Sequence, residues 1–141
     1  MKVIIRSYHE FDYRDVVNLW EQCGLIVPWN DPQRDIERKL TVQSELFLIG
    51  VLNDKIIATA MVGYDGHRGW VNYLAVSPKS QRQGIARQMM KEAERRLLKL
   101  GCPKLQAQVR TSNSGVIEFY KKLGYRIDDV VNIGKRLISD D

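Results

Sequence analysis

The stretch that decides the fold lies in the middle of the chain and reads Leu74-Ala75-Val76-Ser77-Pro78-Lys79-Ser80-Gln81-Arg82-Gln83-Gly84-Ile85-Ala86. It predicts a strand that stops before Pro78, a polar loop, and a helix that opens at Gly84. The first N–H groups of a helix have no partner within the helix and carry partial positive charge, so they bind phosphate well. Gly84 and Ala86 keep bulk away from this entrance, and two arginines add positive charge, Arg82 and Arg87. The sequence therefore predicts an anion site here.

Hydrophobic patterning on both sides of this stretch predicts strands and helices in a definite order. Before it, strands are expected at residues 3–5, 46–52, 55–64 and 70–76, and helices at 12–23 and 31–40. After it, a helix at 84–100, a strand at 105–110, a helix at 115–123 and final strands within 125–137 are expected. The order β-α-α-β-β-β-α-β-α-β-β predicts an α/β fold in which helices pack on a mixed sheet.

Length and composition are those of one compact domain that spans residues 1–141. The chain has 141 residues, of which 44% are hydrophobic and 28% charged. No apolar run reaches the roughly 18–20 residues that span a membrane, and the chain turns polar too soon after Arg6 for a signal peptide. The two cysteines, Cys23 and Cys102, lie outside any metal-ligand spacing. We expect a cytoplasmic protein with free thiols, without a metal and without a membrane partner.

The net charge of +5 is compatible with a nucleic acid, an acidic partner or a polyphosphate ligand. A basic ridge on the long helix, formed by Arg87, Lys91, Arg95 and Lys99, is typical of a solvated face. No recognised nucleic-acid motif accompanies the ridge, so no nucleic-acid partner is expected. The glycines fit neither G-x-x-x-x-G-K-[ST] nor G-x-G-x-x-G, which excludes a P-loop NTPase and a dinucleotide-binding fold.

Two motifs resemble those of a known family. The run Gln81-Arg82-Gln83-Gly84-Ile85-Ala86 resembles the Q/R-x-x-G-x-G/A signature of the GNAT superfamily of N-acetyltransferases. Asn113, seven residues before Tyr120-Lys121-Lys122-Leu123-Gly124-Tyr125, resembles the second signature of that family. Element order and length match as well, and residues 28–32, 63–69 and 134–137 are similar to the bacterial YpeA-type members. Ala86 stands where glycine is commoner in the family, and Val116 where alanine is frequent.

The resemblance implies acetyl-CoA as the acyl donor and a cleft between splayed central strands that holds it. The pantetheine arm is expected along the backbone of Leu74, Ala75 and Val76. The resemblance also implies that the pyrophosphate lies on a run of N–H groups, those of Gln81, Arg82, Gln83, Gly84, Ile85, Ala86 and Arg87. Asn113 and Tyr120 complete the cofactor side.

For catalysis, the resemblance implies that the N–H near Val76 stabilises the oxyanion and that Tyr120 is the general acid. The general base is not identified, because Trp70 and Asn72 stand where some members carry a glutamate. His67 and Asp65 have suitable side chains, but a strand rises ~3.3 Å per residue, so His67 lies too far from Leu74 to act directly. A water relay through polar strand residues is an alternative, with Asn72, Gln106 and Gln108 as candidates.

The acceptor is an amine of unidentified structure, either a small molecule or a protein amine. Residues that would line its side of the site are Trp29, Asp31, Tyr64, Trp70 and Asn72, and packing explains the aromatic ones equally well. The favoured function is direct acetyl transfer from acetyl-CoA to a primary amine. Transfer of another acyl group and a non-catalytic acyl-CoA-binding or regulatory module stay open, as do a monomer and a homodimer.

Overall fold

A computed structural model describes residues 2–140 and contains five strands and four helices within them. The strands are β1 (Ile4–Ser7), β2 (Phe47–Leu52), β3 (Lys55–Tyr64), β4 (Gly69–Val76) and β5 (Leu105–Ala107). The helices are α1 (Tyr13–Gln22), α2 (Pro32–Lys39), α3 (Ile85–Lys99) and α4 (Ser114–Lys122). Short 3-10 turns lie at Glu10–Asp12, Ser44–Leu46 and Pro78–Ser80. None of these helices is long and apolar enough to cross a membrane.

The described residues form two compact units. The first contains the chain up to Ala107 together with Asp140, and therefore holds the whole sheet and the first three helices. The second contains Gln108–Ser139 and holds α4. The assignment of residues 1–141 to a single domain stays a prediction.

The sheet has the strand order β1-β2-β3-β4-β5 and is mixed, as the sequence predicts. The first three pairs are antiparallel, and β4 pairs with β5 in parallel. The ladder between β4 and β5 covers only three residue pairs and ends at Val71↔Ala107, although β4 continues to Val76. Residues 72–76 of β4 therefore have an edge with which β5 does not pair.

Helices cover both faces of the sheet. Trp20 of α1 and Ile36 of α2 belong to a buried cluster with Ile49 of β2. A Cβ on the next residue, Gly50, would lie 3.0 Å from Sδ of Met89 in α3. Because neighbouring residues of a strand point to opposite faces, α1 and α2 pack on one face and α3 on the other. Apolar residues recur every four positions in the helix expected at 84–100, which predicts one buried face, and all four of them are buried: Ile85, Met89, Ala93 and Leu97.

Two predictions about the C-terminal third were wrong. The strand expected at 105–110 ends at Ala107, and residues 125–139 contain no strand. The apolar residues that suggested the final strands stay exposed: Ile127, Val130, Val131, Ile133 and Leu137. A strand is stable only where another strand accepts from its N–H groups and donates to its C=O groups, and an apolar pattern cannot by itself supply that partner. The observed order is therefore β-α-α-β-β-β-α-β-α.

Candidate active site

The unpaired end of β4 contains a β-bulge. In the ladder with β3, Met61 lies opposite Asn72 and Thr59 lies opposite Ala75. Two residues of β4, Tyr73 and Leu74, therefore share the place opposite one residue of β3. Tyr73 has φ 51°, a left-handed conformation that is strained for any residue other than glycine.

The bulge reverses the side of β4 toward which the backbone N–H groups of odd-numbered and even-numbered residues point. The N–H of Gly69 bonds the carbonyl of Lys104 beside β5 at 2.8 Å, and the N–H of Ser77 bonds the carbonyl of Ile57 on the β3 side at 2.8 Å. An unbroken strand would point these two N–H groups to the same side, because they are an even number of residues apart. With the bulge between them, the N–H of Val76 points away from β3, toward the edge that β5 leaves unpaired.

The carbonyl of Val76 points the same way and is held by two side chains. Cys23 Sγ donates to it at 3.3 Å and Gln81 Nε2 at 3.1 Å. Burial raises the pKa of Cys23 above its ordinary value, so this thiol stays protonated and remains a donor at neutral pH. The peptide group between Val76 and Ser77 is thus held by one residue that precedes it in the sequence, Cys23, and one that follows it, Gln81. No local pattern indicates the Cys23 contact, because it joins residues 53 positions apart.

The loop after β4 forms a cradle of N–H groups at the start of α3. Arg82 and Gly84 have φ values of 64° and 76°. Left-handed residues of this kind curve the backbone so that successive N–H groups can converge on an anion. The helix begins at Gly84 without a side-chain cap, and its first intrahelical bond runs from the N–H of Gln88 to the carbonyl of Gly84 at 3.1 Å. The N–H groups of Ile85, Ala86 and Arg87 therefore have no acceptor within the helix.

Glycine is required at position 84 by conformation rather than by internal packing. A Cβ built on Gly84 meets no atom within 4 Å among the described residues. Its φ of 76° is nevertheless one that side-chain-bearing residues rarely adopt. The cradle residues before it, Gln81, Arg82 and Gln83, are exposed. The cradle is thus open on its outer side, as a diphosphate site must be.

The second unit carries the other two predicted residues, Asn113 and Tyr120. Asn113 caps α4, because its Oδ1 accepts from the N–H of Val116 at 3.3 Å. At the far end Gly124 has φ 94°, and the N–H of Tyr125 bonds the carbonyl of Tyr120 at 3.0 Å. This is a Schellman motif, which ends the helix just after Tyr120.

Tyr120 itself is buried, with 9% of its surface exposed. Its ring meets the edges of Phe119 and Tyr125, with centroids 5.2 and 5.4 Å away. Burial raises the pKa of Tyr120 to about 12. Its hydroxyl is therefore protonated throughout the neutral range and is available as a donor.

The residues predicted for the acceptor side occupy different parts of the first unit. Asp31 is the N-cap of α2 and accepts from the N–H of Gln33 at 2.9 Å, as its place before Pro32 suggests. Trp29 is half exposed in the loop before it. Tyr64 ends β3, Trp70 lies near the start of β4, and Asn72 is exposed just before the bulge.

The hairpin between β3 and β4 does not provide an evident base. Asp65 accepts from the N–H groups of Arg68 and His67, at 2.7 and 2.8 Å, and these bonds hold its pKa below its ordinary value. A carboxylate with a lowered pKa is a weak base, so Asp65 acts as a turn former. Of the relay candidates, Gln106 lies in β5, while Gln108 donates to Asn132 at 2.7 Å within the second unit.

Comparison with known proteins identifies relatives. Residues 11–125 match the model of the Acetyltransferase (GNAT) family. The ribosomal-protein-S18-alanine N-acetyltransferase from Escherichia coli is similar at 25% identity, over 87% of this chain and 77% of its own, with a TM-score of 0.73. Ard1 from Thermoplasma volcanium has 18% identity over 91% and 85% of the two chains, with a TM-score of 0.75.

A third similar structure is AAC(6')-Iy, solved with the bisubstrate analogue CoA-S-monomethyl-acetylneamine. It has 17% identity over 96% of this chain and 99% of its own, with a TM-score of 0.78. At such identities, AAC(6')-Iy and Ard1 share the fold alone. The narrower similarity to YpeA-type members stays a prediction.

Proposed function

The chain belongs to the GNAT family of acetyltransferases, and on that premise we propose that it moves an acetyl group from acetyl-CoA directly to a primary amine. Family membership makes the chain an acyltransferase. The donor, the direct transfer and the amine are the proposal. The observation that carries it is the combination, within one unit, of an unpaired β4 edge and an uncapped helix start ten residues farther on.

The edge of β4 suits the pantetheine arm of the donor. Its amide groups need partners of the kind that a neighbouring strand supplies, and Leu74, Ala75 and Val76 lie beyond the point where the β5 ladder ends. The bulge points the N–H of Val76 toward that edge, while the carbonyl of Val76 is already held by Cys23 and Gln81. We infer that the arm binds there like a short added strand.

The cradle suits the pyrophosphate of the donor. Ile85, Ala86 and Arg87 offer N–H groups without an intrahelical acceptor, and two exposed arginine side chains flank them, those of Arg82 and Arg87. An anion at a helix start gains both from these donors and from the helix dipole. Gly84 adopts its left-handed conformation without strain, and because it has no side chain, the pyrophosphate can approach these N–H groups closely.

Acetyl transfer requires a neutral amine nitrogen to attack the thioester carbon. As the C–N bond forms, negative charge grows on the thioester oxygen, and as the C–S bond breaks it grows on sulfur. We assign the N–H of Val76 to the oxygen, because the bulge directs it to the edge where the thioester would lie. We assign the hydroxyl of Tyr120 to the sulfur.

The raised pKa of Tyr120 determines how its hydroxyl can act on the thioester sulfur. A thiol has a pKa of about 8.5, so full proton transfer from a phenol with a pKa of about 12 is uphill. Tyr120 therefore acts chiefly by donating a hydrogen bond to sulfur as charge develops. The amine nitrogen loses one proton when it is acylated and the departing thiolate gains one, so the two changes balance through solvent. The assignment predicts a tyrosine that stays protonated throughout the pH range of activity.

The acceptor would enter from the side of Trp29, Asp31, Tyr64, Trp70 and Asn72, and its class is unidentified. Because β4 carries Trp70 and Asn72 rather than a carboxylate before the bulge, the base is also unassigned. This lack favours one second candidate, an acyl-CoA-binding module that performs no chemistry.

Titration calorimetry with CoA and acetyl-CoA tests the donor, and a thiol-release screen tests the chemistry. A ligand at 100 times its Kd raises the free energy of unfolding by about 2.7 kcal/mol, which a thermal-shift assay detects. The screen would cover amino acids, polyamines, aminoglycosides and peptides with free N-termini. No binding at millimolar acetyl-CoA contradicts the proposal, whereas binding without turnover of any amine favours the binding module. Size-exclusion chromatography distinguishes the monomer from the homodimer.

A further inference from the structure

The strained residue of the bulge is fixed by contacts that reach three other elements. Tyr73 is the only one of the described β4 residues with a positive φ, and it is not a glycine. No turn is formed there, since β4 continues on both sides of it. A left-handed tyrosine inside a strand persists only when its surroundings stabilise it.

The backbone of Tyr73 is held from β3 and α1. Thr59 Oγ1 donates to the carbonyl of Tyr73 at 2.8 Å, and Trp20 Nε1 donates to Thr59 Oγ1 at 2.9 Å. Trp20 and Thr59 are fully buried, so the bond between them is shielded from water, while the bond to the Tyr73 carbonyl is partly buried. The hydroxyl of Thr59 thus supplies a donor to this carbonyl where the bulge interrupts the ladder.

The side chain of Tyr73 is held from α1 and α2. Its ring stacks on Trp20 with the centroids 3.9 Å apart, and its hydroxyl donates to Asp35 Oδ2 at 2.5 Å. Burial, and then the neighbouring Asp35 carboxylate, raise the pKa of Tyr73, so the hydroxyl keeps its proton at neutral pH. Arg38 holds the other oxygen of Asp35 at 3.4 Å. Helix α2 is thereby tied to the bulge through one charged hydrogen bond.

We propose that Tyr73 is a positioning residue whose hydrogen bond to Asp35 holds the bulge in the one conformation that points the N–H of Val76 at the thioester oxygen. The inference rests on the proposed function, because it requires Val76 to stabilise that oxygen. It adds that helix α2, which begins at Asp31 on the acceptor side, sets the alignment of the oxyanion donor. Tyr73 touches neither reactant in this scheme and acts through the backbone.

The test compares Tyr73→Phe and Asp35→Ala with a matched change elsewhere in the same core. Tyr73→Phe keeps the ring on Trp20 and removes only the hydroxyl bond. Tyr8→Phe is the control, since Tyr8 is also buried and stacks on Phe47 with the centroids 4.7 Å apart. With an amine from the screen, we expect kcat to fall about 10–100-fold in Tyr73→Phe, the usual range for the loss of one hydrogen bond to a charged group. The Kd of acetyl-CoA should stay within about twofold.

A double-mutant cycle distinguishes positioning from general loosening. If the two residues act through their shared bond, Tyr73→Phe with Asp35→Ala should lower kcat no further than either change alone. Wild-type kcat in Tyr73→Phe, or an equal fall in Tyr8→Phe, would overturn the proposal. Absence of acetyl-CoA binding by the wild-type chain would instead overturn the proposed function.

A second measurement needs no acceptor. In ¹⁵N-labelled protein saturated with CoA, the amide signal of Val76 should shift or broaden in Tyr73→Phe and Asp35→Ala and stay unchanged in Tyr8→Phe. An unchanged Val76 signal in both bulge variants would show that the hydroxyl bond does not position this N–H, whatever the enzyme acetylates.

Discussion

Helices α2 and α4 begin with a side chain that binds their own N–H groups, whereas α3 begins with none. Asp31 accepts from Gln33 at the start of α2, and Asn113 accepts from Val116 at the start of α4. The start of α3 is Gly84, which has no side chain to offer. A capped start contributes to the stability of the fold, while an uncapped one keeps its donors for a ligand. The difference distinguishes the start of α3 from those of α2 and α4. Helix α1 also lacks a side-chain cap bond, but the 3-10 turn Glu10–Asp12 runs directly into it.

The largest effect is expected away from both kinds of start, at Tyr120 near the end of α4. Tyr120→Phe keeps the ring contacts and removes the donor, so acetyl transfer should fall by about 10²–10³-fold, the usual cost of losing one hydrogen-bond donor to developing negative charge, while acetyl-CoA affinity changes little. Single-turnover transfer, with circular dichroism to check folding, measures the fall. Tyr125→Phe is the matched control on a neighbouring ring, and a similar fall in both variants would assign the effect to packing.

A side-chain cap introduced at Gly84 should weaken the binding of the acetyl-CoA pyrophosphate at the start of α3. Asp and Asn adopt left-handed φ more readily than other side chains, so Gly84→Asp and Gly84→Asn should both fold. The carboxylate of Gly84→Asp would compete for the N–H groups and repel the pyrophosphate, raising the Kd of acetyl-CoA by about 10–100-fold. Calorimetry should show a clearly smaller rise for the uncharged Gly84→Asn. Unchanged affinity in the aspartate variant would locate the anion elsewhere.

The 3-10 turn before α1 contains a buried carboxylate, that of Asp12, which makes stability depend on pH. Asp12 Oδ2 accepts from the His9 N–H at 2.8 Å, and both of its oxygens accept from Arg6, at 2.7 and 2.9 Å. Burial by itself raises the pKa of Asp12, but the bonds from Arg6 and His9 outweigh it and hold the pKa below its ordinary value. The ionised form therefore stabilises the fold above about pH 4, and this contribution is lost as pH falls through the lowered pKa.

Asp12→Asn should accordingly lower the free energy of unfolding at pH 7 by about 1.5–3 kcal/mol, the usual worth of hydrogen bonds to a charged group. Urea unfolding at pH 7 and again near pH 3 measures the change. The gap between wild type and variant should narrow at the lower pH, because the wild-type carboxylate is then losing its charge. A gap that is constant with pH would contradict the ionic role of Asp12.

The smallest effects are expected at the capped start of α4. Asn113→Ala removes the cap and should cost about 1 kcal/mol in urea unfolding, whereas Asn113→Asp keeps an acceptor oxygen and should cost nothing. The sequence resemblance places Asn113 on the cofactor side, and both variants lose its Nδ2 donor, so the Kd of acetyl-CoA should rise about threefold to tenfold in each. If Asn113→Asp binds as tightly as wild type, Asn113 serves as a cap alone.

Local patterns predicted much of this structure because their causes are local. The stripe from Ile85 to Leu97 produces α3, since one face of a helix must be buried wherever it packs. Asp31 before Pro32 marks the start of α2, and Gly124 marks the end of α4, because each acts on the backbone a few residues away. The final strands failed for the opposite reason. Their apolar residues needed a partner strand, and partners are not encoded within the segment.

Local sequence patterns were sufficient to predict the order of strands and helices up to α4, the helix that opens at Gly84 and the helix that carries Tyr120, since each follows from residues close together in the chain. The bulge at Tyr73, and hence the direction of the Val76 N–H, depends on tertiary packing. A left-handed tyrosine is unfavourable on its own and is stabilised by Thr59, Trp20 and Asp35, which come from three other elements. The free energy that offsets its strain exists only once those elements have packed together.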